Sequence, residues 1–148
     1  MRERLTFFLF LFGSLGAVLF IAVRLSKSPV PVPSSPPKFL SQAGLPADLQ
    51  TLETLKSGKL MFLTSCAKCH GNFGEGAVAK HGTGGPSLID AEWRNGSGTY
   101  PEILAIVRHG VPGTWMMGWS DKMNDQDLKV LAAYVRVLPY LTPPALKK

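Results

Sequence analysis

The sequence is poor in cysteine: its two cysteines both lie within residues 66–69 of the 148-residue chain. This excludes a disulfide framework, since a bridge across so short a spacing would be strained and would close almost no loop. The chain also lacks the alternating apolar pattern of β-strands, any internal repeat, and any stripe of basic residues interleaved with aromatics. These absences favour a helical protein and argue against nucleic-acid binding.

The positive charge is concentrated near the N-terminus. The formal net charge is +6, of which residues 1–47, with five basic and one acidic side chain, carry +4. Residues 48–148 hold eleven basic and nine acidic side chains, a net of only +2. The basic character therefore belongs mostly to the leading segment and gives no sign of a polyanionic partner.

A long apolar run follows the first basic residues. Leu5 to Val23 is nineteen residues without a charge, which as a helix would span roughly 28 Å, close to the hydrocarbon thickness of a bilayer. A cleaved signal peptide is the alternative, but its apolar region is usually only about 7–15 residues long, and no A-x-A-like site precedes Arg24. We therefore predict a single-pass membrane anchor, or uncleaved signal, over residues 1–25. Residues 26–47, rich in proline and serine, are predicted to be an extended linker.

Residues 48–141 are predicted to form one helical domain, followed by a tail over 142–148. The first helix shows Leu49, Leu52 and Leu55 at helical spacing, and a second apolar set, Leu60, Phe62 and Leu63, leads into Cys66. The glycine-rich stretch 71–99 is predicted to be a long loop that encloses a group not yet identified at this point.

Two further helices are predicted after this loop. One begins with Thr99 as a possible cap and ends at Gly110, and the last runs from the N-cap Asn124 to Pro139. A domain of about a hundred residues with so much loop has a thin core, so we expect an apolar group to fill its centre.

The motif Cys66-Ala-Lys-Cys-His70 indicates what that group is. C-x-x-C-H is typical of c-type haem attachment: the two thiols add to the porphyrin vinyl groups, and the adjacent histidine binds the iron. A zinc site assembled from Cys66, Cys69, His81 and His109 is an alternative with irregular spacing that leaves His70 unused. A thioredoxin-like redox pair would need a strand–helix setting that the sequence lacks.

Several separate stretches resemble the class I cytochrome c family, over roughly residues 56–139. Gly58 and Phe62 precede the motif with the family's spacing, and Leu131 and Tyr134 match their usual partners in the last helix. The resemblance implies an all-α class I cytochrome c fold around one covalent haem c, with the first and last helices crossing at these residues. "GGPSL" (84–88) resembles the family's G-P-x-L loop, which implies that the Pro86 carbonyl accepts the N–H of His70.

The segment "GVPGTWMMGW" (110–119) resembles the family's stretch that carries the axial methionine. The match implies that Met116 binds the iron opposite His70. Met117 stands where the family usually has proline, and it is the fallback ligand if the loop shifts in register. A bis-histidine site using His81 or His109 is a further alternative; otherwise His109 ends a helix and His81 faces solvent.

Other side chains have two possible roles each. Trp93, Arg94 and Trp119 are candidates for contacts with the haem edge or its propionates, or for ordinary packing. Three lysines are candidates for a docking rim, or for a plainly solvated surface: Lys68, Lys80 and Lys122.

The sequence therefore predicts a one-electron carrier with His/Met-ligated haem, and no independent enzyme activity or small-molecule substrate. It would shuttle electrons between membrane respiratory complexes at the outer, periplasmic face of a bacterial cytoplasmic membrane. One alternative is a fixed haem c subunit of an oxidase or dehydrogenase complex. Two others are a five-coordinate haem enzyme or gas sensor, and a zinc-binding module.

Overall fold

A computed structural model describes residues 37–76 and 84–146. In these ranges the regular structure is helical, and the only β-type pairing is a single antiparallel bridge between Gly110 and Met117. None of the helices in the described ranges has the length and hydropathy needed to cross a bilayer. The predicted anchor, residues 1–25, lies outside these ranges.

The helices are α1 (Lys38–Gln42), α2 (Leu52–Ser65), α3 (Ala67–His70), α4 (Tyr100–His109) and α5 (Asp125–Leu141), with 3-10 turns at Ala47–Leu49 and Pro144–Leu146.

The packed domain begins before the predicted boundary at residue 48. Leu40, Ala43 and Leu45 are all buried, and α1 packs against α5. The ring of Phe39 stacks on Tyr140, with centroids 6.2 Å apart. Residues 37–47 are therefore part of the domain and not of the linker, because their apolar side chains cover one side of the last helix.

Helix α2 contains both apolar sets of the first predicted helix except Leu49, which lies in the preceding 3-10 turn. Its N-cap is Thr51, whose hydroxyl accepts from the Thr54 N–H at 3.0 Å. Of the second apolar set, Phe62 is fully buried, whereas Leu60 and Leu63 are exposed.

The crossing of α2 and α5 is the main helix contact of the domain. A Cβ built on Gly58 would lie 2.4 Å from the Cβ of Tyr134, so the two helices approach as closely as their backbones allow. One turn later Phe62 meets the ring of Tyr134, with centroids 5.7 Å apart. The predicted crossing is therefore present.

Helix α4 packs on α5 and has a strong N-terminal cap. As predicted, Thr99 precedes its first turn, with a carboxylate three residues later. Glu102 Oε2 accepts hydrogen bonds from Ser97 Oγ (2.6 Å), Ser97 N (2.8 Å) and Thr99 Oγ1 (2.8 Å). The bonds from Ser97, together with those from Thr99, lower the pKa of Glu102 to about 2.

Helix α5 begins as predicted but ends later. The Asn124 side chain accepts from the Asp127 N–H at 2.8 Å, which is the expected N-cap. The helix passes Pro139 and ends at Leu141, because Thr142 closes the last turn: its N–H and its hydroxyl both donate to the Leu138 carbonyl. Thr142 is buried and belongs to the domain, not to the predicted tail.

We predict that Gly58→Ala destabilises the domain. Alanine favours helix by up to about 1 kcal/mol over glycine, but its methyl group would collide with Tyr134 and the Val130 carbonyl. Overpacking of this kind costs about 1–3 kcal/mol. Chemical denaturation should therefore show a lower free energy of unfolding. Lys59→Ala, on an exposed neighbour, is the control and should change it little; equal stabilities of the two variants would contradict the close crossing.

Candidate haem site

The cysteine motif lies where α2 gives way to the short helix α3. Cys66 is the C-cap of α2, and its N–H donates to the Phe62 carbonyl at 2.8 Å. The N–H groups of Cys69 and His70 both donate to the Cys66 carbonyl, at 3.1 and 3.0 Å. This single turn brings the two thiols and the imidazole to one wall of the domain. Both thiols are free, and neither is fully buried.

A cavity of about 710 Å³ opens beside this wall. Helices α2, α3, α4 and α5, the 84–95 loop and the 111–119 loop all contribute to it, and its lining is mostly apolar. The volume lies within the range of about 300–1,000 Å³ that ligand and cofactor sites usually have. Its lining includes Phe62, Cys66, His70, Ile103, Val107 and Met116.

His70 is buried and held from one side by the loop after it. Its Nδ1 lies 2.9 Å from the Pro86 carbonyl, which can only accept, so Nδ1 carries the proton. This leaves Nε2 as a lone-pair donor on a ring that lines the cavity. Burial lowers the pKa of His70, and the bond to Pro86 opposes this only in part. The imidazole is therefore neutral near pH 7, the form that binds a metal.

Gly85 allows this loop to lie against the imidazole. A Cβ at this position would lie 2.6 Å from both Cε1 and Nδ1 of His70. The Gly85 N–H donates to the Cys69 carbonyl at 2.6 Å, which ties the loop to α3. The position requires glycine because any side chain would occupy the space of the ring.

The state of Cys66 differs from that of a redox-active thiol. Burial, and secondarily the charge of Cys69 nearby, raises the pKa of Cys66 to about 11. Reactive thioredoxin-type cysteines need the opposite shift. Within residues 37–76 and 84–146 no three His, Cys, Asp or Glu side chains converge as a metal site would require; His81, part of the zinc alternative, lies outside these ranges.

Two adjacent methionines, Met116 and Met117, also line the cavity. The loop that carries them folds back on the end of α4: the Val111 N–H donates to the Met116 carbonyl at 2.8 Å, and the Trp119 N–H donates to the Val107 carbonyl at 3.0 Å. Met116 is half-buried, whereas Met117 is 55% exposed. Met117 Sδ accepts a hydrogen bond from Lys122 Nζ at 2.9 Å.

The remaining predicted residues divide by position. Trp93, Arg94 and Trp119 all line the cavity. Trp93 packs so closely on Gly98 that a Cβ there would lie 2.2 Å from its indole nitrogen. His109 is exposed at the end of α4 and does not line the cavity, and Lys68 is exposed on α3. Lys80 lies outside the described ranges.

The cavity also has walls that the sequence analysis did not assign. Ile103 and Val107, one turn apart on α4, are buried and line it, and Trp115 lines its mouth with 77% of its surface exposed. The four-residue spacing on α4 could have identified the first two as one helix face. Trp115 gave no comparable signal, because its position depends on the fold of the loop.

The fit of this site to a haem can be tested on the residues themselves. A large apolar cavity, two free thiols one turn apart, a neutral imidazole with an available nitrogen and a thioether in the same cavity suit a covalently attached porphyrin. The fold agrees. The crystal structure of cytochrome CL from Methylophaga aminisulfidivorans aligns with a TM-score of 0.53 at 18% identity, covering 88% of this chain and 85% of that chain. Fold and motif together define a monohaem class I cytochrome c, and the predicted class is confirmed.

Residues 53–135 match the family described as cytochrome c oxidase, cbb3-type, subunit III. The chain therefore belongs to this family, and it carries a covalent c-type haem that serves electron transfer, as predicted. Cbb3-type cytochrome c oxidase subunit CcoP of Azospirillum sp. (strain B510) is 37% identical over 83 residues, covering 55% of this chain and 27% of that protein. Subunit FixP of Rhizobium meliloti (strain 1021) is 34% identical over 86 residues, 57% of this chain and 27% of that protein. The match thus spans only about a quarter of these relatives.

We predict that Gly85→Ala loosens the grip on His70. The new methyl group would displace either the loop or the imidazole and weaken the bond to the Pro86 carbonyl. The free energy of unfolding of the haem-loaded protein should fall by about 1–3 kcal/mol. The reduction potential should rise, because a histidine without this bond is a weaker electron donor.

Denaturant titration and potentiometry measure these two effects. Gly84→Ala, at the exposed neighbouring glycine, is the matched control. If both variants had the free energy of unfolding and the reduction potential of the parent, the close contact between Gly85 and the His70 ring would not contribute to either quantity.

Proposed function

We propose that Cys66 and Cys69 form the two thioether bonds to the haem and that His70 and Met116 bind its iron from opposite sides. Three observations support the proposal. Both thiols are unpaired at the cavity wall, His70 Nδ1 is engaged so that Nε2 is the available nitrogen, and Met116 lines the same cavity. The bond to Pro86, 2.9 Å long, is the observation that carries it, because it fixes both the tautomer and the direction of the ring.

The chain's own residues then hold the cofactor in an electron-transfer state. The haem supplies a one-electron change of its iron. The burial of His70 keeps its imidazole neutral, and the Pro86 carbonyl keeps the proton on Nδ1. The apolar wall of Phe62, Ile103 and Val107 excludes water, and Trp93 is proposed to pack at the cofactor's edge. With His70 and Met116 both holding the iron, no position would be left open for a gas or peroxide, which favours electron transfer over sensing.

We further propose that the protein acts as a haem c subunit of a respiratory oxidase complex. The family match over residues 53–135 supports this, as do relatives named as cbb3-type oxidase subunits. These findings favour the fixed-subunit alternative of the sequence analysis over the freely shuttling carrier. The domain would pass electrons to another subunit and would not itself be the site of substrate chemistry.

The proposed location is the outer face of a bacterial cytoplasmic membrane. The apolar segment Leu5–Val23 supports an anchor, and the Pro/Ser-rich residues after it support a short spacer. An anchor holds the haem domain near partners in the same membrane and raises their effective concentration. The proposed partners are a redox donor and an acceptor within membrane respiratory complexes.

We predict that Met116→Ala removes the distal ligand. The weak far-red band of sulfur–iron ligation should disappear from the oxidised spectrum. The reduction potential should fall, by on the order of 0.1 V, because thioether ligation raises the potential. Visible spectroscopy and potentiometry of the purified haem protein measure both effects.

Met117→Ala is the matched control, since it removes the neighbouring thioether from the same loop. It should leave the band and the potential close to those of the parent. The opposite pattern, with the band lost only in Met117→Ala, would transfer the ligand to Met117 and contradict the assignment.

We predict that the full chain, tagged in its own host, purifies in mild detergent with an oxidase complex. Haem staining should follow the large complex in native electrophoresis. A Met116→Ala chain should still assemble, because the change lies inside the haem cavity, and the complex should then show slower oxidation of its electron donor. Two results together would support a freely shuttling carrier instead. The tagged chain would be recovered as an isolated monomer, and a strain from which this chain has been deleted would keep its full oxidase activity.

A further inference from the structure

Two thioethers on consecutive residues line the cavity, but only one can bind the iron opposite His70. We propose that Lys122 selects between them: its ammonium group holds the sulfur of Met117 at the loop surface and leaves Met116 as the available ligand. The inference rests on the proposed function, because it takes Met116 to be the axial methionine. Lys122 is in this sense a positioning residue that acts through Met117.

The contacts of Lys122 define its role. Its Nζ donates to Met117 Sδ at 2.9 Å and lies 5.2 Å from the ring centroid of Trp119. Its backbone N–H donates to the Trp119 carbonyl at 3.0 Å, in the turn that leads towards α5. This turn directs the side chain back over the methionine loop. The ammonium thus touches both the sulfur and the aromatic face that border the cavity.

No stronger partner competes for this ammonium among residues 37–76 and 84–146. The three ion pairs found there join Lys56 to Glu53, and Arg108 and Lys129 to Asp125. Lys122 is not part of any of them. Within these ranges the ammonium group instead contacts the thioether and the indole ring, and both are groups that attract a cation through polarisable electrons.

The backbone explains why the side chain of Met117 needs a separate restraint. The bridge between Gly110 and Met117 ties the backbone of this stretch to the end of α4. A Cβ on Gly110 would lie 2.5 Å from the Met116 carbonyl, which makes the pairing close. Yet a methionine side chain has three rotatable bonds, and Met117 still lines the cavity. The bridge fixes the backbone, and Lys122 fixes the sulfur.

The test uses the far-red band of sulfur–iron ligation in the full, haem-loaded chain. With Met116→Ala alone, Lys122 retains Met117, and the band should be absent. With Met116→Ala and Lys122→Leu together, the sulfur of Met117 is released, and the band should return. Adding Met117→Ala to this pair should abolish the band again, which identifies the sulfur.

Two controls separate selection from general loosening of the loop. Lys122→Arg keeps a cation at the same place, so the pair Met116→Ala/Lys122→Arg should lack the band. Lys59→Leu replaces an exposed lysine on α2, and in combination with Met116→Ala it should also lack the band.

A second measurement covers the case in which the double variant binds haem poorly. Lys122→Leu with both methionines intact should show two forms in the proton NMR spectrum of the reduced protein, each with one ring-current-shifted methionine methyl signal. The parent should show one form.

The outcomes are distinguishable. Loss of the band in Met116→Ala without its return on Lys122→Leu, together with a single NMR form, would overturn the role of Lys122 and leave Met116 as the ligand. Persistence of the band in Met116→Ala with Lys122 intact would overturn both the inference and the proposed ligand. Return of the band with Lys122→Arg as well would show that loop loosening, not the cation, controls the choice.

Discussion

The close approach of α2 and α5 is the contact on which the rest of the domain depends. Gly58 provides no side chain at the crossing, so the backbone of α2 lies directly against Tyr134. One turn later, the ring of Phe62 packs against the ring of Tyr134. Because α2 is fixed here, its C-terminal end is fixed too, and that end is Cys66. The position of the haem-attachment motif is thus a consequence of packing eight residues earlier in the same helix.

The site itself is built from short loops tied to rigid helices. The 84–88 loop is tied to α3 through the Gly85 N–H and to His70 through the Pro86 carbonyl, and the methionine loop is tied to the end of α4 through Val111 and Trp119. Residues of each loop thus line the cavity while its backbone is hydrogen-bonded to a neighbouring helix or its end. Such pairing restrains the side chains that line the cavity, which reduces the ordering required for binding a cofactor.

Local signals predicted local features well. The caps at Thr99 and Asn124 and the attachment motif depend on residues adjacent in sequence, and the structure has the helix starts and the short helix at those places. Features that depend on distant contacts were missed. The exposure of Leu60 and Leu63 and the burial of Leu40, Ala43 and Leu45 depend on which residues pack against them. Helix α5 continues through Pro139 to Leu141, where Thr142 closes the last turn. The spacing of apolar residues predicts a helix face, but it does not show whether another part of the chain packs against that face.

The carboxylate of Glu102 connects the start of α4 with the durability of the cavity in acid. It accepts four hydrogen bonds from Ser97 and Thr99, and the next residue of the helix, Ile103, is part of the cavity wall. Because the pKa of Glu102 is lowered to about 2, its stabilising effect is complete above the ordinary pKa of a glutamate and is lost only as the pH falls towards 2. A mildly acidic medium would therefore leave this wall of the cavity anchored.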